Sequence, residues 1–287
     1  MKRKTVKYLT RYKHRYLKVK PMPTLIIGMY YNNCEGAIIL SDSRMMFGPD
    51  YSTEQKVFEI MRGIFFSTSG LAGVRDDLIS IVQEKIGERN IRDLEGVRRL
   101  FESEVKDLWY WYQSPPSGRA SFSSDEVLID GILGGLIEEK PKLYHVHQNG
   151  YAEPIREGFR CVGDGYRHAH NIVKTLYKLD ISKERAMEIG IHAIIQTSKV
   201  DSVVDDNPQI AIIERGNSRL LNMNDNGEFS IHIPEITALK QKINGIEEKR
   251  TTVFELLLDG SEEIKKKFSE VIDEYIKSKE AKVSNAK

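Results

Sequence analysis

Residues 24–56 read TLIIGMYYNNCEGAIILSDSRMMFGPDYSTEQK, and this stretch decides the fold. Its first eight residues, Thr24 through Tyr31, are apolar and β-prone on both faces. That pattern predicts a strand buried between two layers. Asn32-Asn33-Cys34-Glu35-Gly36 is a turn cluster, and Ala37-Ile38-Ile39-Leu40-Ser41 returns as the second arm of a hairpin. Asp42 and Arg44 stand where that arm leaves the core. A loop containing Gly48-Pro49 leads to a second hairpin: Lys56-Val57-Phe58-Glu59-Ile60, a turn at Arg62-Gly63, then Ile64-Phe65-Phe66-Ser67-Thr68. Two hairpins in succession predict an antiparallel sheet. The small-residue passage Ser69-Gly70-Leu71-Ala72-Gly73 opens a helix. A hydroxyl (Thr24), a carboxylate (Asp42) and an ammonium (Lys56) thus fall at strand ends. Such a set either does chemistry at one sheet edge or only holds strands together; an Asp–Lys pair at strand ends is often an ordinary ion pair.

Outward from there, Val74, Leu78, Ile81, Val82 and Ile86 repeat at helical spacing over residues 73–91. A second helix is predicted from Asp93, a candidate N-cap, to Trp111. Its end carries Trp109, Tyr110, Trp111 and Tyr112, read as a packed subunit contact in preference to a base-stacking platform. Residues 114–118, SPPSG, are a loop. Strands are predicted over 127–138, 142–147 and 209–214, and helices over 166–179 and 183–199.

These motifs occur in the order of a known family. Thr-x-x-x-Gly from Thr24, Asp-x-Arg at Asp42, Lys-x-x-x-Ile at Lys56 and Thr-Ser-Gly at Gly70 resemble the proteasome β-subunit family of N-terminal nucleophile hydrolases. The likeness continues through Leu133-Gly134-Gly135-Leu136-Ile137, Leu143-Tyr144, Val162-Gly163-Asp164-Gly165, Asp201-Ser202 and Ile210-Ala211-Ile212-Ile213, and so spans residues 24–215. It implies an α+β fold, a four-layer αββα sandwich of two antiparallel sheets flanked by helices. It implies a threonine-type endopeptidase in which Thr24 is the nucleophile and, once a leader is cleaved away, its own α-amine is the base. Lys56 would lower the pKa of the hydroxyl and Asp42 would hold Lys56. The Gly70 N–H would be the oxyanion donor, and Asp201 and Ser202 would support the amine. By family position Met45, Glu54, Thr68 and Ala72 line the substrate pocket. The implied partners are a peptide or unfolded-protein substrate and proteasome-like subunits in a homo- or hetero-oligomer, a ring among the options. Two rival readings are an unprocessed, non-catalytic scaffold subunit and a transpeptidase using the same nucleophile.

Three positions depart from the family pattern. Pro23 precedes Thr24 where glycine is common, and proline restricts the backbone distortion that self-cleavage needs. Asp164 stands in place of a supporting serine and brings a further negative charge. Val204 stands in place of a second serine and removes a hydroxyl.

Bulk properties set outer limits. The chain has 287 residues, 40% hydrophobic and 30% charged, with a formal net charge of +1, which gives no case for nucleic acid or membrane. Two cysteines, Cys34 and Cys161, form no metal-binding spacing and no disulfide framework, so a reducing, cytoplasmic setting is expected. Residues 1–23 carry nine Lys/Arg and no acid, and read as a leader or propeptide before a domain at 24–222. Residues 223–287 read as an extension with amphipathic helices at 236–249 and 261–278. The pairs His145/His147 and His168/His170 show no third ligand at useful spacing, so no metal and no cofactor are expected.

Overall fold

The computed structural model of the protein describes residues 24–47, 50–113, 129–223, 229–230, 233–259, 266 and 270. The described residues fall into two compact units, divided between Ile236 and Thr237. Strands β1 (Leu25–Tyr31) and β2 (Gly36–Ser41) make the first hairpin, with every residue of both strands buried. Its turn places Asn32, Asn33 and Cys34 at φ 48, 54 and 68, the left-handed region that asparagine tolerates better than most residues.

Two short strands follow, β3 (Arg44–Phe47) and β4 (Asp50–Thr53), paired with each other. The sequence reading expected a loop here. Gly48-Pro49 is a turn signal, but the β-prone residues on either side let the loop zip into a ribbon.

β5 (Val57–Met61), β6 (Ile64–Gly70), β7 (Ile129–Ile137), β8 (Lys140–Val146) and β9 (Ala152–Pro154) form one five-stranded antiparallel sheet in that order. β10 (Phe159–Gly163), β11 (Gln209–Glu214) and β12 (Arg219–Leu220) join the first hairpin in the other, ordered β10-β1-β2-β11-β12. The two sheets share a core: Ile26, Ile39, Val162 and Ala211 from one meet Phe65, Ile132 and Leu143 from the other. Burying each large apolar side chain contributes about 1.5–3 kcal/mol relative to exposure.

Helices cover the outer faces. α1 (Ala72–Arg89) and α2 (Leu94–Gln113) pack on the second sheet, with the Phe66 and Phe101 rings 4.3 Å apart. Asp93 caps α2 as expected, its Oδ1 accepting the Gly96 N–H at 2.6 Å. α3 (Tyr166–Leu176) and α4 (Lys183–Val200) cover the first sheet. A Cβ at Gly190 of α4 would stand 2.7 Å from the Leu40 side chain, so glycine permits the close approach of helix to sheet. The result is the four-layer αββα sandwich.

α5 (Pro234–Asp259) is a single helix, longer than the 236–249 predicted. The predicted helix at 261–278 lies outside the described residues except Lys266 and Glu270, both helical. The 1–23 leader and the 114–118 loop lie outside them altogether. No helix among the described residues is long and apolar enough to cross a membrane.

Candidate active site

Antiparallel pairing of β1 and β2 puts Ile26 opposite Ser41, and so brings the residue after β2 alongside the start of β1. Asp42 donates its N–H to the Leu25 carbonyl at 3.2 Å. Its Oδ1 accepts the Leu25 N–H at 2.9 Å, and its Oδ2 accepts the Arg44 N–H at 3.1 Å. Lys56 immediately precedes β5 in the opposite sheet, and its Nζ lies 3.1 Å from both Asp42 oxygens. Thr24, Asp42 and Lys56 are each 0% exposed. The Asp42–Lys56 pair is therefore buried beside the first peptide of β1, the peptide that Thr24 forms with Leu25.

Burial dominates the electrostatics of this pair. It pushes the Asp42 carboxyl up and the Lys56 ammonium down, and each charge opposes the shift of the other. Asp205 adds negative charge nearby, which favours the charged lysine and disfavours the charged Asp42. A desolvated pair of this kind stabilises little in net terms, but removal of one partner alone is costly.

Four further residues build the cluster, and none was singled out from sequence for this role. Asp205 is buried and accepts from Ser43 twice, from its N–H at 2.9 Å and its hydroxyl at 2.7 Å, while the Asp205 N–H reaches Asp42 Oδ2 at 3.4 Å. Gln209, at the start of β11, accepts the main-chain N–H of Lys56 at 2.7 Å and of Val57 at 3.1 Å. Gly163 has φ +90, and a Cβ there would lie 2.0 Å from the Thr24 carbonyl oxygen. Only glycine allows β10 to close on Thr24 in this way. The polar run Asp205-Asp206-Asn207-Pro208-Gln209 just before a strand was the available signal.

The other expected site residues divide. Gly70 ends β6 at φ +121, directly before α1, a conformation that favours glycine. Asp201 caps the end of α4 and accepts the Val203 N–H at 3.1 Å. Ser202 is exposed on its side chain; its backbone carbonyl accepts from the Arg44 guanidinium. Asp164 is solvent-exposed on its turn, yet its carboxyl is raised, first by partial desolvation and then by the Asp201 charge, with Lys56 opposing. Asp164 thus feels both Asp201 and Lys56. Val204 is fully buried and faces the turn, 3.0 Å from where a Cβ on Gly165 would be.

Among the pocket residues, Met45 lies on β3 with its side chain outside the described residues. Glu54 is ion-paired to Arg75 of α1 at 3.2 Å. Thr68 is fully buried, with its hydroxyl donating to the Ser69 carbonyl at 2.8 Å. Ala72 is the buried first residue of α1.

The two histidine pairs part company. His168 and His170 sit on α3, where residues two apart point to different sides, and His170 lies against the Phe159 ring at 5.2 Å. His145 and His147 remain neighbours, their rings 3.8 Å apart.

Fold and cluster together define a two-sheet sandwich with a threonine, an aspartate and a lysine buried at one edge. The sequence model of the proteasome subunit family matches residues 23–213, and the chain belongs to that family. Similar curated proteins include "Proteasome subunit beta 2" of Caldivirga maquilingensis, 21% identical over 191 residues, covering 62% of this chain and 85% of that protein. "Proteasome subunit beta" of Methanosarcina mazei is 20% identical over 189 residues, covering 63% and 82%. "Proteasome subunit beta" of Methanosphaerula palustris is 23% identical over 195 residues, covering 67% and 86%.

Proposed function

We propose that this chain is a threonine-type endopeptidase subunit that becomes active when residues 1–23 are released. The observation that carries this reading is the Asp42–Lys56 pair, fully buried against the first peptide of β1, next to Thr24. Release of the leader turns the Thr24 nitrogen from an amide into an amine, and only an amine serves as a base near neutral pH. The Thr24 hydroxyl adds to a substrate carbonyl while its proton passes to that amine. Lys56 stabilises the developing alkoxide by its charge, and Asp42 keeps Lys56 in place. The oxyanion is held by the Gly70 N–H, aided by the positive end of α1, which begins two residues on. The leaving amine takes the proton, an ester on Thr24 remains, and water activated by the same amine hydrolyses it. Asp201 and Ser202, at the end of α4, support the Thr24 amine, and Asp164, after β10, adds negative charge that favours its ammonium form. Family membership supports assembly with like subunits in a homo- or hetero-oligomer.

A second reading, an unprocessed scaffold subunit, draws on Pro23 and on the complete burial of Thr24 in the intact chain. One experiment separates them. Mass spectrometry of the purified protein gives the mature N-terminus, and fluorogenic peptides give turnover for wild type and Thr24→Ala. A chain beginning at Thr24, with activity abolished in the variant, is expected. Full activity from a chain still beginning at Met1, or turnover unchanged in Thr24→Ala, excludes the mechanism.

A further inference from the structure

The sequence shows two histidines in an alternating pattern and no third ligand nearby. The fold supplies one from the adjacent strand. β7 and β8 pair with Gly131 opposite Val146 and Ile132 opposite His145, which brings Asp130 level with His147, the residue after β8. Asp130, His145 and His147 each offer a donor atom, and these atoms all lie within 4.8 Å of one another. Asp130 Oδ1 already meets His145 Nε2 at 2.8 Å. The His147 ring is braced by Glu153 of β9, Nε2 to Oε2 3.4 Å.

One feature speaks for something outside the protein at this place. The His145 side chain is 10% exposed, its ring and that of His147 stand nearly in contact with centroids 3.8 Å apart, and the Asp130 carboxylate lies across from them, an arrangement that a shared positive centre holds together.

We infer that Asp130, His145 and His147 form a zinc-class divalent cation site that ties β7 to β8. Two imidazoles and a carboxylate are a donor set of the borderline kind that zinc takes, with a fourth position left for water. Donors around such an ion at about 2.0–2.1 Å stand roughly 3.4 Å apart, within reach of side-chain rotation from the observed spacing. Glu153 orients the His147 ring, as outer carboxylates commonly do at imidazole sites. The site is separate from the Asp42–Lys56 cluster, and its existence does not depend on peptidase activity. It lies close to that cluster all the same: the Asp130 carbonyl accepts from the hydroxyls of Thr68 at 3.2 Å and Ser69 at 3.0 Å, on the strand that ends in Gly70. Zinc here braces the strand that carries the Gly70 N–H.

The test uses the full chain, stripped with chelator, given Zn²⁺ alone, desalted and assayed for metal per chain. One retained equivalent is expected, together with the visible bands of a four-coordinate centre when Co²⁺ replaces zinc. His147→Ala and Asp130→Asn should each weaken binding by at least about tenfold. Asp130→Asn changes little in volume, so it reports on the site even where His147→Ala disturbs the fold. The control His168→Ala/His170→Ala should retain the full equivalent. No zinc retained by the wild type, undiminished zinc in Asp130→Asn, or zinc lost with the control pair would each overturn the assignment.

Discussion

The Gln209 side chain accepts the main-chain N–H of Lys56 at 2.7 Å, so a residue of one sheet fixes where a strand of the other begins. Its Oε1 also takes the Val57 N–H at 3.1 Å, and its Nε2 donates to the Glu54 carbonyl at 2.5 Å. Gln209→Ala leaves two buried donors unsatisfied. The expected loss is about 2–4 kcal/mol, given roughly 1–3 kcal/mol for a buried group left unpaired. Urea unfolding measures it, and a change below about 0.5 kcal/mol would show that the clamp contributes nothing.

Gly163 and Gly216 make a matched pair for backbone strain. Both have positive φ, +90 and +72, but a Cβ at Gly163 meets the Thr24 oxygen at 2.0 Å whereas one at Gly216 meets nothing within 4 Å. Gly216→Ala should cost only the conformational strain, on the order of 1 kcal/mol. Gly163→Ala adds a backbone clash and should cost at least about 3 kcal/mol. Equal thermal shifts for the two variants would contradict the close approach of β10 to Thr24.

Asp164 gives stability a pH dependence of known sign. Its folded carboxyl is raised above the unfolded value by desolvation and by Asp201. Between those two values the folded state binds more protons than the unfolded state, so this contribution is full at acid pH and is lost as pH rises through the folded value. Asp164→Asn should therefore gain stability relative to wild type on going from about pH 3 to pH 7. Denaturation curves at both pH values measure the difference; a relative gain at acid pH would reverse the sign. Under the proposed mechanism the same change lowers the pKa of the Thr24 amine, because a nearby carboxylate favours the ammonium form. The acid limb of the peptidase pH profile should move to lower pH in Asp164→Ser.

The two thiols should differ sharply in reactivity. Cys34 is exposed in the β1–β2 turn, whereas Cys161 is buried in β10 with its thiol pushed up to about 12 by desolvation. Alkylation of the native protein should be fast at one thiol per chain and reach the second only on denaturation. Cys34→Ser should remove the fast phase; persistence of that phase would show that β10 opens readily.

Where the residues themselves carry a period or a turn, the chain announces its fold. The all-apolar β1, the Asn-rich turn, the capped start of α2 and the limits of β11 follow from local patterning that the tertiary structure also satisfies. The short strands β3, β4, β9, β10 and β12 do not, because two to five residues hold too little alternation to stand out from a loop. The positions of Thr24, Asp42 and Lys56 at strand ends were legible because the strands they flank are predictable, and the resemblance then attached roles to them. Asp205 and Gln209 were not, since a polar residue in a connection looks the same whether it faces water or a buried lysine. Asp130 was hidden for a further reason: it becomes a neighbour of His147 only through strand register, which no spacing along the chain encodes.

The polar cluster is also ordered in time. Thr24, Asp42, Lys56 and Gly70 all emerge early from the ribosome, but Gln209 follows Lys56 by 153 residues and Asp205 follows Asp42 by 163. A nascent chain holding the first four lacks the side chain that clamps the Lys56 main-chain N–H and one N–H donor to the Asp42 carboxylate. The surroundings of the buried Asp42–Lys56 pair are therefore complete only once nearly the whole domain has been translated and its two sheets have docked.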